Sequence, residues 1–324
     1  IESERRALLA IKSDMHGPDD RFSSWTGDDC CGWRGYLDLS MISSPVHLEY
    51  LNLSHAMFDG PIPPRFGNLS NPRYLDLQGW YGYYHLRVDD LEWLTRIPSL
   101  KRWGSNLSGQ LPTAMGDLCN LTLLDLSHNN IAEELTDLLR GLSTCSQVSS
   151  LLSLFTKDNN LSGIIPSSMS QLSQLQYLFL SSNSLAGNIT EAHFSNLTKL
   201  FEFAIVSNSL NVILPNDRLP PFSSVFFIDM SSCRHIGAKF PDWTLSVLPL
   251  VTCIDLSGNH LSGEIPKELT KLLGLRFLNL SKNHLTGRIP ENIGDLKQLE
   301  SLDLSMNRLT GRIPSSFSAM YFLV

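Results

Sequence analysis

The chain has 324 residues, 42% hydrophobic and 18% charged, which excludes both a disordered tail and a membrane-embedded bundle. Its net charge of −7 excludes nucleic acid as the main partner, because holding phosphates needs a basic face. With 21 glycines and 17 prolines it is neither collagen-like nor of low complexity, and no apolar run approaches the ~18 residues of a membrane-spanning helix. Leucine stands out at 57 residues, more than a single ordinary core needs and what a stacked repeat would use.

In chain order, residues 2–15 read as an amphipathic helix with Ala7, Leu8 and Ile11 on one face, stopped by His16-Gly17-Pro18. Trp25, Cys30, Cys31 and Trp33 follow. Residues 1–36 are expected to be a cap over the open end of a repeat array, whose terminal units must shield the core. The charged start Ile1-Glu2-Ser3-Glu4 has no signal-peptide pattern; a secreted chain begins this way after cleavage.

Residues 37–324 carry the repeats. The first apolar residue of each L-x-L falls at 51, 75, 100, 124, 154, 178, 203, 228, 254, 278 and 302, giving about eleven full units of mostly 24–26 residues after a partial one at Tyr36-Leu37-Asp38-Leu39. Period-two alternation predicts a short strand in each unit, its leucines inward and the intervening residues outward. Five residues after the anchor stands asparagine, at Asn129, Asn159, Asn183, Asn208, Asn259, Asn283 and Asn307; a stacked column of these amides would satisfy the turn that leaves the strand. Cys233 fills the same place. Gly-x-Ile-Pro follows, as in Gly263-Glu264-Ile265-Pro266, with Pro holding the chain extended.

The pattern also breaks. Arg102 and Thr156 stand where inward apolar residues belong, the stretch 80–93 loses Gly-x-Ile-Pro, and the 30-residue unit at Leu124 carries an insertion near 135–147, expected to be helical and convex.

The cap ERRALLAIKSD…FSSWTGDDCCGWRG and the repeat LxxLxLxxNxLxGxIP together resemble plant extracellular leucine-rich repeat proteins over essentially the whole chain. GDLCNL (116–121), LSTC (142–145) and PPF…C…FPDW (220–243) resemble receptor-like proteins of plant immunity, the class with fungal-elicitor receptors and disease-resistance proteins. That resemblance implies an α/β leucine-rich repeat solenoid, a right-handed superhelix with a parallel concave sheet, behind an N-terminal helical cap. It also implies an ectodomain that senses a ligand, sits at the cell surface or in the apoplast, and signals through a partner receptor kinase. The chain departs from the family in lacking the further cap cysteine after W-x-G, the non-repeat island and a C-terminal cap. A fragment or a shortened member is therefore expected, attached to a membrane only through a segment outside this chain.

No GxGxxG, GxxxxGK[ST], HExxH or CxxC motif occurs, so no catalytic, metal or cofactor site is expected. His260 and His284, and the aspartates of the L-D-L column, read as solvated surface rather than as a metal pair or an acid–base pair. The acceptor tripeptide Asn-x-Ser/Thr occurs at Asn52, Asn68, Asn106, Asn120, Asn160, Asn188, Asn196 and Asn279, eight expected glycosylation positions. Cys119 and Cys145 lie in neighbouring repeats and are either a disulfide or two small buried thiols.

Recognition is expected on the outward strand positions, where Tyr50, Tyr74, Trp103, Phe155, Tyr177, Phe179 and Phe277 replace the polar residues a solvated sheet would use. Trp103, Phe155, Tyr177 and Phe179 are the candidate ligand-binding residues, with Tyr81, Tyr83 and Tyr84 as a lateral loop. Packing is the competing reading, since Thr156 in an inward slot allows a one-residue slip that would bury Phe155. The partner expected is a peptide, protein or glycan; the alternative function is a secreted inhibitor of pathogen cell-wall hydrolases, similar to polygalacturonase inhibitors.

Overall fold

A computed structural model of the chain describes residues 118–145, 148–213, 224–233 and 250–320, together with 50–52, 60–61, 73–77, 86–87, 97 and 102–105. The cap, the loop with Tyr81, Tyr83 and Tyr84, and the acceptors Asn68 and Asn106 lie outside the described residues.

The alternating L-x-L segments form a parallel sheet in which chain order is also spatial order. Its eleven strands are β1 (Tyr50–Asn52), β2 (Tyr74–Leu77), β3 (Arg102–Ser105), β4 (Leu123–Asp125), β5 (Ser153–Phe155), β6 (Tyr177–Phe179), β7 (Glu202–Ala204), β8 (Phe227–Asp229), β9 (Cys253–Asp255), β10 (Phe277–Asn279) and β11 (Ser301–Asp303). Anchor pairs with anchor throughout: Leu124 with Leu154, Leu154 with Leu178, Leu178 with Phe203, and so on to Leu278 with Leu302. Leu124, Leu154, Leu178 and Leu278 are fully buried, because each unit covers its neighbour's apolar edge. This register also decides the slip at Thr156. Leu154 holds the inward slot and Phe155 pairs with Phe179 on the outer face, while Thr156 stays wholly buried with its hydroxyl unpartnered.

At β3 the register corrects the sequence reading. Trp103, not Leu100, pairs with Leu75 on one side and Leu124 on the other, so it occupies the anchor column rather than the outward column. The displacement is three residues, an odd number, and an odd shift exchanges the two faces of a strand.

After each strand from β4 to β11 the chain reverses through one left-handed residue: His128, Asp158, Ser182, Ser207, Ser232, Gly258, Lys282 or Met306, with φ between 52° and 66°. A side chain at such φ costs about 1–2 kcal/mol, and glycine accepts it in only one of these units. The asparagine that follows holds the turn. Asn183 accepts a hydrogen bond from the Leu161 amide (3.0 Å) and donates to the carbonyls of Thr156 (2.9 Å) and Leu180 (3.1 Å), joining two units. Asn159, Asn208, Asn259, Asn283 and Asn307 repeat the arrangement, and Asn129 donates to Leu126 and Ser127. Cys233 supplies only the donor half: its thiol donates to the Ile205 carbonyl at 3.2 Å. Burial pushes that thiol up to about 12, so it keeps the proton it donates.

The side opposite the sheet is built from short helical turns. The insertion folds as α1 (Leu135–Ser143), burying Leu135, Leu138, Leu139 and Leu142 at helical spacing. Five later units use 3-10 turns instead, three of them entered from a proline: Pro166, Pro266 and Pro314. Cys119, just before β4, and Cys145, just after α1, form a disulfide with Cα atoms 5.6 Å apart. No helix among the described residues is long and apolar enough to cross a membrane.

Candidate recognition surface

In each strand from β4 to β10 two residues flank the buried anchor on the outer side of the sheet, and β11 repeats the pattern around a half-buried Leu302. In β8, β9 and β11 the residue after the anchor is aspartate, and its carboxylate accepts a hydrogen bond from the backbone amide two residues on, 2.9–3.0 Å away. Asp125 in β4 does the same with Ser127, and Asn279 in β10 with Ser281. The L-D-L column is therefore a set of turn-closing acceptors. Burial, with Asp255 beside it, pushes the Asp229 carboxyl up against the lowering from Ser231; the hydrogen bonds from Ser305 hold Asp303 down.

The same positions in β5 and β6 hold Phe155 and Phe179. Their rings stack at 5.2 Å between centroids and 26° between planes, half-buried on the outer face. One strand further, Tyr177 meets Phe201 edge to face at 5.9 Å. Phe201 in turn stacks on Phe226 at 5.3 Å and 7°, and Phe226 keeps 38% of its surface exposed. Phe227 stands beside Glu202, which is flanked on the other side by Tyr177. The result is a band of six rings across β5–β8, where ring contacts run from strand to strand.

Of the residues singled out by sequence, the structure brings Phe155, Tyr177 and Phe179 into this band and sets Trp103 in the anchor column. Phe201, Phe226, Phe227 and Glu202 were missed. Phe227 was legible, since it occupies the position of Tyr177 one unit away from Glu202. Phe201 and Phe226 precede the outward residue, where simple alternation gives no reason to look.

Other candidates carry less. His260 and His284 contact edge to face at 5.4 Å and are both exposed; among the described residues no third metal-ligating group joins them. Cys253 lies half-buried on the outer face, where burial and the nearby Asp229 and Asp255 push its thiol up to about 11, so it is protonated and unreactive at neutral pH. Asn120, Asn160, Asn188 and Asn196 are exposed; Asn279 instead donates to the Asp255 carboxylate at 3.0 Å from the concave sheet. Asn52 lies in β1, whose register matches it with Asp76.

The comparisons with known proteins agree with this architecture. Residues 1–35 match the leucine rich repeat N-terminal domain, and 47–69, 120–142, 251–272, 274–296 and 298–320 match the Leucine Rich Repeat. Receptor-like protein EIX1 of Solanum lycopersicum is 33% identical over 39% of this chain and 21% of its own length. Receptor-like protein 43 of Arabidopsis thaliana is 34% identical over 51% of this chain and 24% of its own length. The chain thus spans about a quarter or less of the curated relatives it matches. Among solved structures, the plant peptide hormone receptor RGFR1 in complex with RGF2 has the same fold, with a TM-score of 0.62 at 24% identity over 91% of this chain and 54% of that one.

Proposed function

We propose that this leucine-rich repeat chain, whose relatives are plant receptor-like proteins, is an extracellular recognition module that binds a peptide or protein ligand on its concave sheet. In that role it would perceive a pathogen- or elicitor-derived ligand and pass the signal to a partner receptor kinase. The observation that carries this reading is the aromatic band on β5–β8. Folding a repeat does not require a ring at Phe155 or Phe179, since the same position in β8, β9 and β11 uses aspartate to close the turn. Rings lose little freedom on binding and offer large contact area, which is why they anchor interfaces. A secretory-pathway location is supported by the disulfide between Cys119 and Cys145, which persists in oxidising compartments, and by the exposed acceptor asparagines.

The test uses the purified protein and immobilised pools of random octapeptides. Replacing Tyr177 and Phe179 together with Ala should weaken retention of the bound pools at least about tenfold and leave the melting temperature nearly unchanged. Asp303→Ala, on the same face five strands away, should leave retention as it was. Loss of folding in the double variant would make these rings core; unchanged retention in a folded variant would place recognition elsewhere.

A further inference from the structure

Glu202 is the one carboxylate set among the rings. It faces outward from β7 with Tyr177 and Phe227 as its strand neighbours, and Phe201 precedes it in the chain. It is half-buried, and among the described residues no lysine, arginine or histidine pairs with it. Burial pushes its carboxyl up. A half-exposed carboxylate beside two rings and without a countercharge is free to pair with a cation from a ligand. Nothing in the repeat requires it: the equivalent positions hold Leu123, Ser153, Tyr177, Phe227, Cys253, Phe277 and Ser301.

The residue two further along β7 is Ala204, standing between Phe179 on β6 and Asp229 on β8. From β4 to β11, every other strand has Asp, Asn or Phe at that position. The small side chain is itself buried between Phe179 and Asp229, so no bulky residue of β7 stands between Glu202 and those two neighbours. Glu202 and Asp229 sit diagonally on adjacent parallel strands, on either side of the paired anchors Phe203 and Ile228.

We propose that the outward face around Glu202 is a cation subsite, seating an arginine or lysine side chain of an extended ligand with its charge on Glu202 and its methylene stem along Tyr177, Phe179 and Phe227. The assignment rests on the concave sheet being the recognition surface and adds the chemistry it selects. Charge complementarity fixes the occupant. Glu202, Asp229 and Asp255 repel an acidic ligand, and long basic side chains bury their stems on apolar walls while presenting the charge at the tip. Arginine suits the site better than lysine, because its fork can address both carboxylates.

The experiment uses octapeptide pools in which one position is fixed as Arg, Lys, Leu or Glu, measured on the whole protein at low and at physiological salt. The Arg-fixed pool should bind about tenfold tighter than the Leu-fixed pool, and the Glu-fixed pool weakest. Glu202→Gln should remove the Arg advantage, and Glu202→Lys should invert it in favour of the Glu-fixed pool. An Arg advantage that persists in folded Glu202→Gln, or equal binding of Arg- and Leu-fixed pools, overturns the cation subsite while leaving concave recognition intact. Failure of every pool to bind overturns both.

Discussion

Asn283→Ala isolates the contribution of the asparagine column. The Asn283 side chain accepts from the Leu261 amide at 3.0 Å and donates to the carbonyls of Leu256, Leu280 and Ser281 at 2.9–3.1 Å. Truncation does not orphan all four. Leu256 O still receives Asn259, Leu280 O still receives Asn307, and Ser281 O still receives the Gly258 amide. The Leu261 N–H alone loses its acceptor, in a residue only 1% exposed. The expected loss is therefore that of one unpaired buried donor, about 1–3 kcal/mol, rather than of four bonds. Urea denaturation should move to lower denaturant by that amount, and hydrogen exchange should speed up at Leu261 more than at amides two units away. His284→Ala, one residue on and exposed, should change neither by more than about 0.5 kcal/mol. An unchanged midpoint with unchanged Leu261 exchange would refute the column as a source of stability.

Three further outcomes follow from the same geometry. Thr156→Val keeps the shape of a wholly buried side chain and removes a hydroxyl with no partner, so it should raise stability by about 1–2 kcal/mol in denaturant melts; a loss would mean the hydroxyl is satisfied. Asp229→Asn should stabilise the protein at neutral pH, since the folded state holds the Asp229 proton more tightly than the unfolded chain and ionisation therefore opposes folding. The advantage should vanish as pH falls through the raised carboxyl range, and Asn279 shows that an amide closes the same turn; a pH-independent difference would contradict the assignment. Peptide mapping of plant-expressed protein should find carbohydrate on exposed Asn196 and little on Asn279, whose amide is held by Asp255; full occupancy at Asn279 would put a glycan on the concave sheet and count against recognition there.

Much of the fold was legible because each unit repeats one local solution. L-x-L, the asparagine and the Gly-x-Ile-Pro each specify a strand, a turn and an extended return, and they recur close enough in spacing to stack. The unit at β3 was not legible. The 49 residues from Leu75 to Leu124 divide evenly by spacing at Leu100, but strand pairing divides them at Trp103. Apolar spacing is a property of one segment, whereas register is set by hydrogen bonds to both neighbours, and those prevailed over the nearer leucine. The site was half legible for a related reason. Phe155 and Phe179 share an offset from their anchors, so their stacking could be read from numbering alone. The contact of Tyr177 with Phe201 joins residues at different offsets and depends on side-chain reach across the pleat. Glu202 shares its offset with Tyr177 and Phe227, so its aromatic neighbours were legible from numbering, but its partial burial and lack of a countercharge were not.

Photo-crosslinking addresses the central claim most directly. A benzophenone placed beside the arginine of an Arg-fixed octapeptide, irradiated on the whole protein, should mark outward residues of β6–β8, at Tyr177, Phe179 and Phe227, with labelling competed by the unmodified peptide. Competed labelling confined to α1 or to the 3-10 turns on the opposite side would contradict recognition by the concave sheet.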